Sequence, residues 1–450
     1  MKHARSGMQI FFGGEFTMKK LACFTLLAVI ANSSLAQTNR IDIVRPDAPE
    51  LAQFGSYTIG VRTVKIVDPN RIDILNTARG GDSVLYDRPL TLEIWYPAEL
   101  ASGESPGGEY QAITRNPEII ATLTGKAVRD AKPLTAEGEF PLVIISHGYP
   151  GNRYLLSHLG ENLASKGYVV ASIDHTDSTY DDQKAFASTL YNRPLDQRFV
   201  LDTMAGFNDD SGNFLSGMLD AETTAVVGYS MGGYGLVNNL GGGYADEIIG
   251  SFMAPPNELL NEHATRNPEY RGALDARIKA GVAVAPWGMN ANFWTAEDLA
   301  GISVPALYIA GDADTVAGYK NGPRAIFERA SGSDRYLLTF KNAGHNAAAP
   351  YPLPVEILNN KDQTGASHYT DPVWDTVRMN NIMNHFVTAY IDLHLKGDEL
   401  KAEYLDLVPD GAEGKYSVSN GQENSDHSYW KGFSSGTAVG LKLEHLSKGQ

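Results

Sequence analysis

Cysteine is almost absent from this chain: Cys23 is the only one in 450 residues. One thiol forms no intramolecular disulfide and no thiolate metal cage, so stability has to come from packing. Basic residues are also scarce, with 37 Lys and Arg against 53 Asp and Glu, a formal net charge of −16 and a pI near 5.1. That balance argues against phosphate backbones and anionic lipid surfaces, so nucleic acid is not an expected partner. Nor does the apolar run from Leu21 to Ile30 reach the length needed to span a bilayer, which argues against stable membrane insertion.

That run has another reading. Met18-Lys19-Lys20 precedes it and Ser34-Leu35-Ala36 follows it, the layout of a secretory leader with a small-residue cleavage site after Ala36. Residues 1–17 lie upstream of the charged start, and a translation start at Met18 fits the same layout. Removal of residues 1–36 takes away Cys23, four of the 37 basic residues and one of the 53 acidic ones, leaving 33 against 52, a net −19. A secreted or periplasmic destination is expected, with 37–450 as one domain because α/β folds often run large as a single unit.

The chain is organised around Thr224 to Gly235. A short β-branched run enters Gly228-Tyr229-Ser230-Met231-Gly232, the spacing of a strand-to-helix turn that lifts a serine at a sheet edge. Two other segments have the same spacing, Gly103 to Gly107 around Ser105 and Gly432 to Gly436 around Ser434, but neither follows a buried-strand run. Ser230 is therefore the expected nucleophile. A serine held in such a turn leaves no room for a Cβ two residues before or after it, which is the steric role of the glycines.

Around it the sequence alternates strands and helices. Strands are expected at 58–67, 89–97, 140–146, 168–173, 224–227, 277–286, 305–310 and 336–340, and helices at 155–166, after the elbow, at 324–331 and at 374–395. A short helix is expected within 112–138 and a helical stretch at 198–204. Residues 241–275 read as a cap or rim beside the site, 350–371 as a Pro/Asn-rich loop, and 398–450 as a C-terminal extension wrapping the surface. The fold class is α/β with a mostly parallel sheet covered on both faces, its core at about 85–396.

An acyl carbonyl calls for a nucleophile, a base and a group that holds the base in one tautomer. His345 follows a late strand through an Ala-Gly turn, and Asp314 and Asp312 compete at the end of the strand before it, with Asp314 favoured and Asp174 the other possible site. The order Ser230, Asp314, His345 is that of an α/β-hydrolase triad. His147 and His175 precede the serine in the chain, and His385 and His394 fall on the long helix, where packing is the simpler role. The turn His147-Gly148-Tyr149 closes a buried strand, so the N–H groups of Tyr149 and Met231 are the expected oxyanion donors.

Pro141 to Tyr149, Leu163 to His175 and Gly228 to Gly233 resemble the predicted dienelactone hydrolases and platelet-activating-factor acetylhydrolase-like esterases, a likeness covering about residues 85–396. Gly148-Tyr149, Tyr229 to Gly233, Ala285-Pro286-Trp287 and Asp314 to Ala317 also resemble bacterial cutinases and polyester hydrolases. The resemblance implies an α/β-hydrolase fold and a serine esterase without metal or cofactor, and favours Asp314. It makes Tyr149 and Trp287 a clamp on the acyl or aromatic part of a small-molecule ester, with Tyr229 a further substrate-binding residue. Serine stands where true dienelactone hydrolases use cysteine, and the insertions at 241–275 and 350–371 imply a partly covered pocket for a small ester or short-chain lipid. Two other readings keep the same residues: amide or peptide cleavage or perhydrolysis through the triad, and a hydrolase-like binding protein with an inert site.

Overall fold

Runs of Val, Ile and Leu bounded by glycine-bearing turns suit strands buried on both faces. In the computed structural model, which describes residues 38–450, such runs form the middle of an eleven-stranded sheet. Its main strands are β1 (Thr58–Ile72), β2 (Leu85–Glu99), β3 (Phe140–Ser146), β4 (Val169–Asp174), β5 (Leu219–Tyr229), β6 (Ile278–Val284), β7 (Ala306–Gly311), β8 (Arg335–Phe340) and β9 (Leu441–Leu446). They lie in the order β9-β8-β7-β6-β5-β3-β4-β2-β1, parallel from β8 to β4 and antiparallel at both flanks. This is the expected mostly parallel sheet. The expected leader, its cleavage after Ala36 and the alternative start at Met18 lie outside the described residues.

The principal helices are α1 (Ser157–Ala164), α2 (Phe186–Asp209), α3 (Met231–Asn239), α4 (Pro323–Arg329) and α5 (Thr376–Leu395). One apolar cluster joins α1 and α5 to one face of the sheet through residues such as Leu159, Val143, Val227, Met383 and Phe386. A second joins α2, α3 and α4 to the other face through Ile144, Val226, Leu201, Leu236 and Phe327. Helices on both faces force the strand ends, and the turns that leave them, to carry whatever faces solvent.

Several expectations need correction. No α-helix occupies 112–138, and the only helical piece there is a single 3-10 turn at Thr135–Glu137. Gly108–Ile113 and Ile120–Gly125 form a small sheet with Asn39–Arg40. It is anchored by the buried Glu161 of α1, which accepts from Tyr110 Oη and from the N–H groups of Lys126 and Ala127. The stretch expected at 198–204 belongs to a helix of 24 residues, α2. Its first turns bury many polar side chains (Ser188, Asn192, Arg193, Asp196, Gln197), so no continuous apolar stripe marks them. The C-terminal extension does more than wrap the surface: β9 pairs along the whole of β8, and Trp430, Phe433 and Leu441 are buried in the first cluster.

Candidate active site

The turn from β5 into α3 holds Ser230 at φ 52°, ψ −109°, a region that L-residues enter only under constraint. The glycines supply the space. A Cβ on Gly228 would come within 2.3 Å of Gly232 O, and one on Gly232 within 1.9 Å of Ser146 O. Ser230 N–H donates to Val284 O at 2.8 Å, and Ser230 O accepts from Tyr234 and Trp287 N–H at 3.0 and 3.2 Å, which ties the turn to β6 and α3.

His345 leaves β8 through Gly344, and its Nε2 lies 3.0 Å from Ser230 Oγ. Its Nδ1 lies 2.8 Å from Asp314 Oδ2. Asp314 Oδ1 accepts from the N–H groups of Val316 and Ala317 at 2.8 and 3.0 Å, and its side chain has no exposed surface. With both carboxylate oxygens occupied, Nδ1 carries the proton and Nε2 is left to accept from the serine. Asp312 is placed elsewhere: it accepts from Asn342 N–H and joins the turns after β7 and β8. Asp174 is ion-paired with Arg153 outside this cavity.

Among the described residues neither Tyr149 N–H nor Met231 N–H has an intramolecular acceptor. Tyr149 belongs to the cavity wall beside Ser230, and Met231 begins α3 immediately after it. The peptide before Tyr149 is held from behind. Gly148 O accepts from His147 Nδ1 at 2.7 Å, and Arg193 of α2 donates to the carbonyls of His147 and Gly148 and to Ser178 Oγ. Because C=O and N–H of a trans peptide point opposite ways, fixing the carbonyl turns the Tyr149 N–H away from Arg193.

A second serine, histidine and aspartate lie in the same array inside the protein. Ser146 Oγ is 2.8 Å from His175 Nε2, whose Nδ1 is 2.9 Å from Asp196 Oδ2. Asp196 also takes Arg88 in a bidentate pair at 2.9 Å. Arg88 and His175 hold the Asp196 carboxyl far below the usual range against the opposing effect of burial. Burial, with the nearby Arg193 charge, pushes His175 down to about 3. All three residues are at most 1 % exposed, so this set braces β3, β4 and α2 rather than meeting a ligand.

The cavity over Ser230 measures about 350 Å³ and is lined by Arg115, Tyr149, Val316, His345 and the loop 365–368 among others. Residues 241–275, expected beside the site, contribute nothing to its lining; they pack on α2 and α3 through Tyr244, Ile248 and Leu260. The rim comes instead from the Pro/Asn-rich loop. Tyr229 reaches the wall but is only 2 % exposed, its ring against His345 (centroids 5.3 Å) and its Oη donating to Asn346. It backs the imidazole, because it points to the side of β5 opposite the serine. Trp287 does not line the cavity: Phe186 meets its ring edge-on at 5.3 Å and meets Tyr149 at 5.0 Å. Arg115 and His368 went unseen in the sequence, since each reaches the cavity through a loop with no motif of its own, as did Phe186, which backs Tyr149 from the start of α2.

The parallel sheet, the elbow after its central strand and the aspartate and histidine at later strand ends are the α/β-hydrolase fold. A family model described as PET hydrolase-like matches residues 114–241, a span holding Tyr149, Ser230 and Met231 but neither Asp314 nor His345. Cutinase est1 of Thermobifida alba is 28% identical over 206 residues, 46% of this chain and 53% of that protein. A bis(hydroxyethyl) terephthalate hydrolase of Streptomyces coelicolor is 26% identical over 212 residues, 47% and 52% of the two chains. The chain thus spans about half the length of these curated relatives. The solved structure of a ferulic acid esterase from Streptomyces cinnamoneus superposes with a TM-score of 0.51 at 24% identity, covering 78% of this chain and 94% of that one. This chain is similar to cutinases and polyester hydrolases in sequence and to that esterase in fold. Among the described residues no helix is long and apolar enough to cross a membrane.

Proposed function

We propose that the protein is a serine carboxylic ester hydrolase, exported through its N-terminal leader, that cleaves small or short-chain esters, lipid or aromatic esters among them, through an acyl-enzyme. The observation that carries this is the continuous relay from Asp314 through His345 to Ser230, at 2.8 and 3.0 Å, opening on a cavity. Likeness to cutinases and to a terephthalate-ester hydrolase supports the same chemistry.

In this reading Ser230 Oγ attacks the carbonyl carbon while His345 Nε2 takes its proton, and Asp314 stabilises the imidazolium through Nδ1–H. The carbonyl oxygen becomes anionic and meets the N–H groups of Tyr149 and Met231, each worth about 3 kcal/mol in such sites. His345 then protonates the departing alcohol. Water repeats the sequence and releases the acid.

A fluorophosphonate probe should label Ser230, and Ser230→Ala should abolish labelling and turnover of p-nitrophenyl acyl esters together. Retained turnover in Ser230→Ala rejects the assignment. Matched p-nitroanilides separate ester from amide cleavage, and an unlabelled, inactive wild type would mark an inert binding protein.

A further inference from the structure

The cavity at Ser230 has a charge pattern opposite to that of the whole molecule. The chain carries 53 acidic residues against 37 basic ones, yet the cavity lining contains no Asp or Glu. Its charged side chain is Arg115, which follows the strand Gly108–Ile113 and stands exposed at the rim. Arg115 N–H donates to Tyr369 Oη at 2.8 Å, which fixes the backbone there. The stem lies along Gly365, where a Cβ would come within 2.8 Å of Arg115 Cβ and 2.9 Å of its Cγ, so the glycine leaves the space the arginine occupies.

Several other arginines of this protein are held by carboxylates, Arg88 by Asp196, Arg153 by Asp174, Arg277 by Asp275 and Arg324 by Glu444, and others, such as Arg193 and Arg335, by backbone carbonyls. Among the described residues the Arg115 guanidinium has no such partner and no side-chain hydrogen bond. Its neighbour His368, bonded to Tyr180 Oη at 2.5 Å, is pushed down to about 3 by burial and then by the Arg115 charge, so it is neutral at physiological pH. A planar fork of donors thus faces a cavity with no anion of its own, a geometry that matches a carboxylate two-pronged.

Taking Ser230 as the nucleophile, we infer that Arg115 is a selecting residue that holds a free carboxylate on the substrate, so that half-esters of dicarboxylic acids or esters of hydroxy-acids are favoured over their uncharged counterparts.

The test compares kcat/KM for mono-4-nitrophenyl terephthalate with that for its methyl-capped diester, and for 4-acetoxybenzoate with its methyl ester. The first pair places the carboxylate on the acyl side and the second on the alcohol side. The expected result is a preference for the charged member of one pair. That ratio should fall about tenfold in Arg115→Gln, as loss of one charge-assisted contact implies, fall further in Arg115→Glu, and recover only in part in Arg115→Lys, which restores the charge but not the fork. It should also shrink as salt rises, because the site is exposed. Ratios that stay put in both Arg115→Gln and Arg115→Glu, or a wild type preferring the capped ester in both pairs, overturn the inference while leaving the esterase reading intact. Absence of turnover on all four esters, with no probe labelling, instead removes the esterase reading, and the inference falls with it.

Discussion

At the residue scale the site depends on a proton held at one atom. Asp314 accepts from His345 Nδ1 and from two backbone N–H groups, so Asp314→Asn would favour the wrong tautomer while keeping the shape. A fall in kcat of roughly 10⁴-fold is expected, the size this change has in a serine triad, with the Tm nearly unchanged. Trp287 stands one layer behind the cavity wall, packed on Phe186, which packs on Tyr149. Trp287→Ala should widen the space behind Phe186 and shift the acyl chain-length profile toward longer esters more than it lowers the rate on acetyl esters; an unchanged profile would reject that placement. Ser230, Asp314 and His345 could be picked out from the sequence because each sits just past a buried-strand run. Ser105 and Ser434 share the elbow spacing without such a strand, and both are exposed. Arg115 and His368 were not legible, because loop closure rather than spacing brings them to the cavity.

At the scale of elements, two close approaches decide tolerance. Gly232 leaves no room beside Ser146 O, so Gly232→Ala must push α3 off β3. Overpacking of this kind costs about 1–3 kcal/mol, read as a lower urea midpoint, and displaces the serine as well. At the sheet margin, β9 covers the edge of β8 and buries Leu441 and Leu443. Deleting residues 441–450 should cost roughly 3–6 kcal/mol of apolar burial and expose a strand edge, so aggregation during refolding is expected. The parallel strands were legible because unbroken apolar runs have few other uses. α2 was legible only at 198–204, since its first turns bury hydrogen-bonding groups, and the small sheet at 108–125 was not, since its strands alternate with polar residues and are only six residues long.

At the scale of the whole molecule, buried histidines link folding to pH. Burial lowers His158 to about 4 and His175, His263 and His385 to about 3. An unfolded chain binds a proton at each near pH 6.5. Stability from keeping them neutral is therefore full above 6.5 and drains away as pH falls toward 3. The Tm should drop steeply between pH 6 and 4, with uptake of several protons on unfolding; a flat profile there would contradict this burial. The buried array of Ser146, His175 and Asp196 has a consequence of another kind. By interatomic distance the molecule holds two similar arrays, but the inner one is sealed from solvent, its aspartate is already paired with Arg88, and its serine lies in a regular strand rather than at an elbow. Titration with an organophosphorus reagent should consequently saturate at one equivalent per chain, with no second equivalent on unfolding, because the inner serine loses its histidine as the fold is lost.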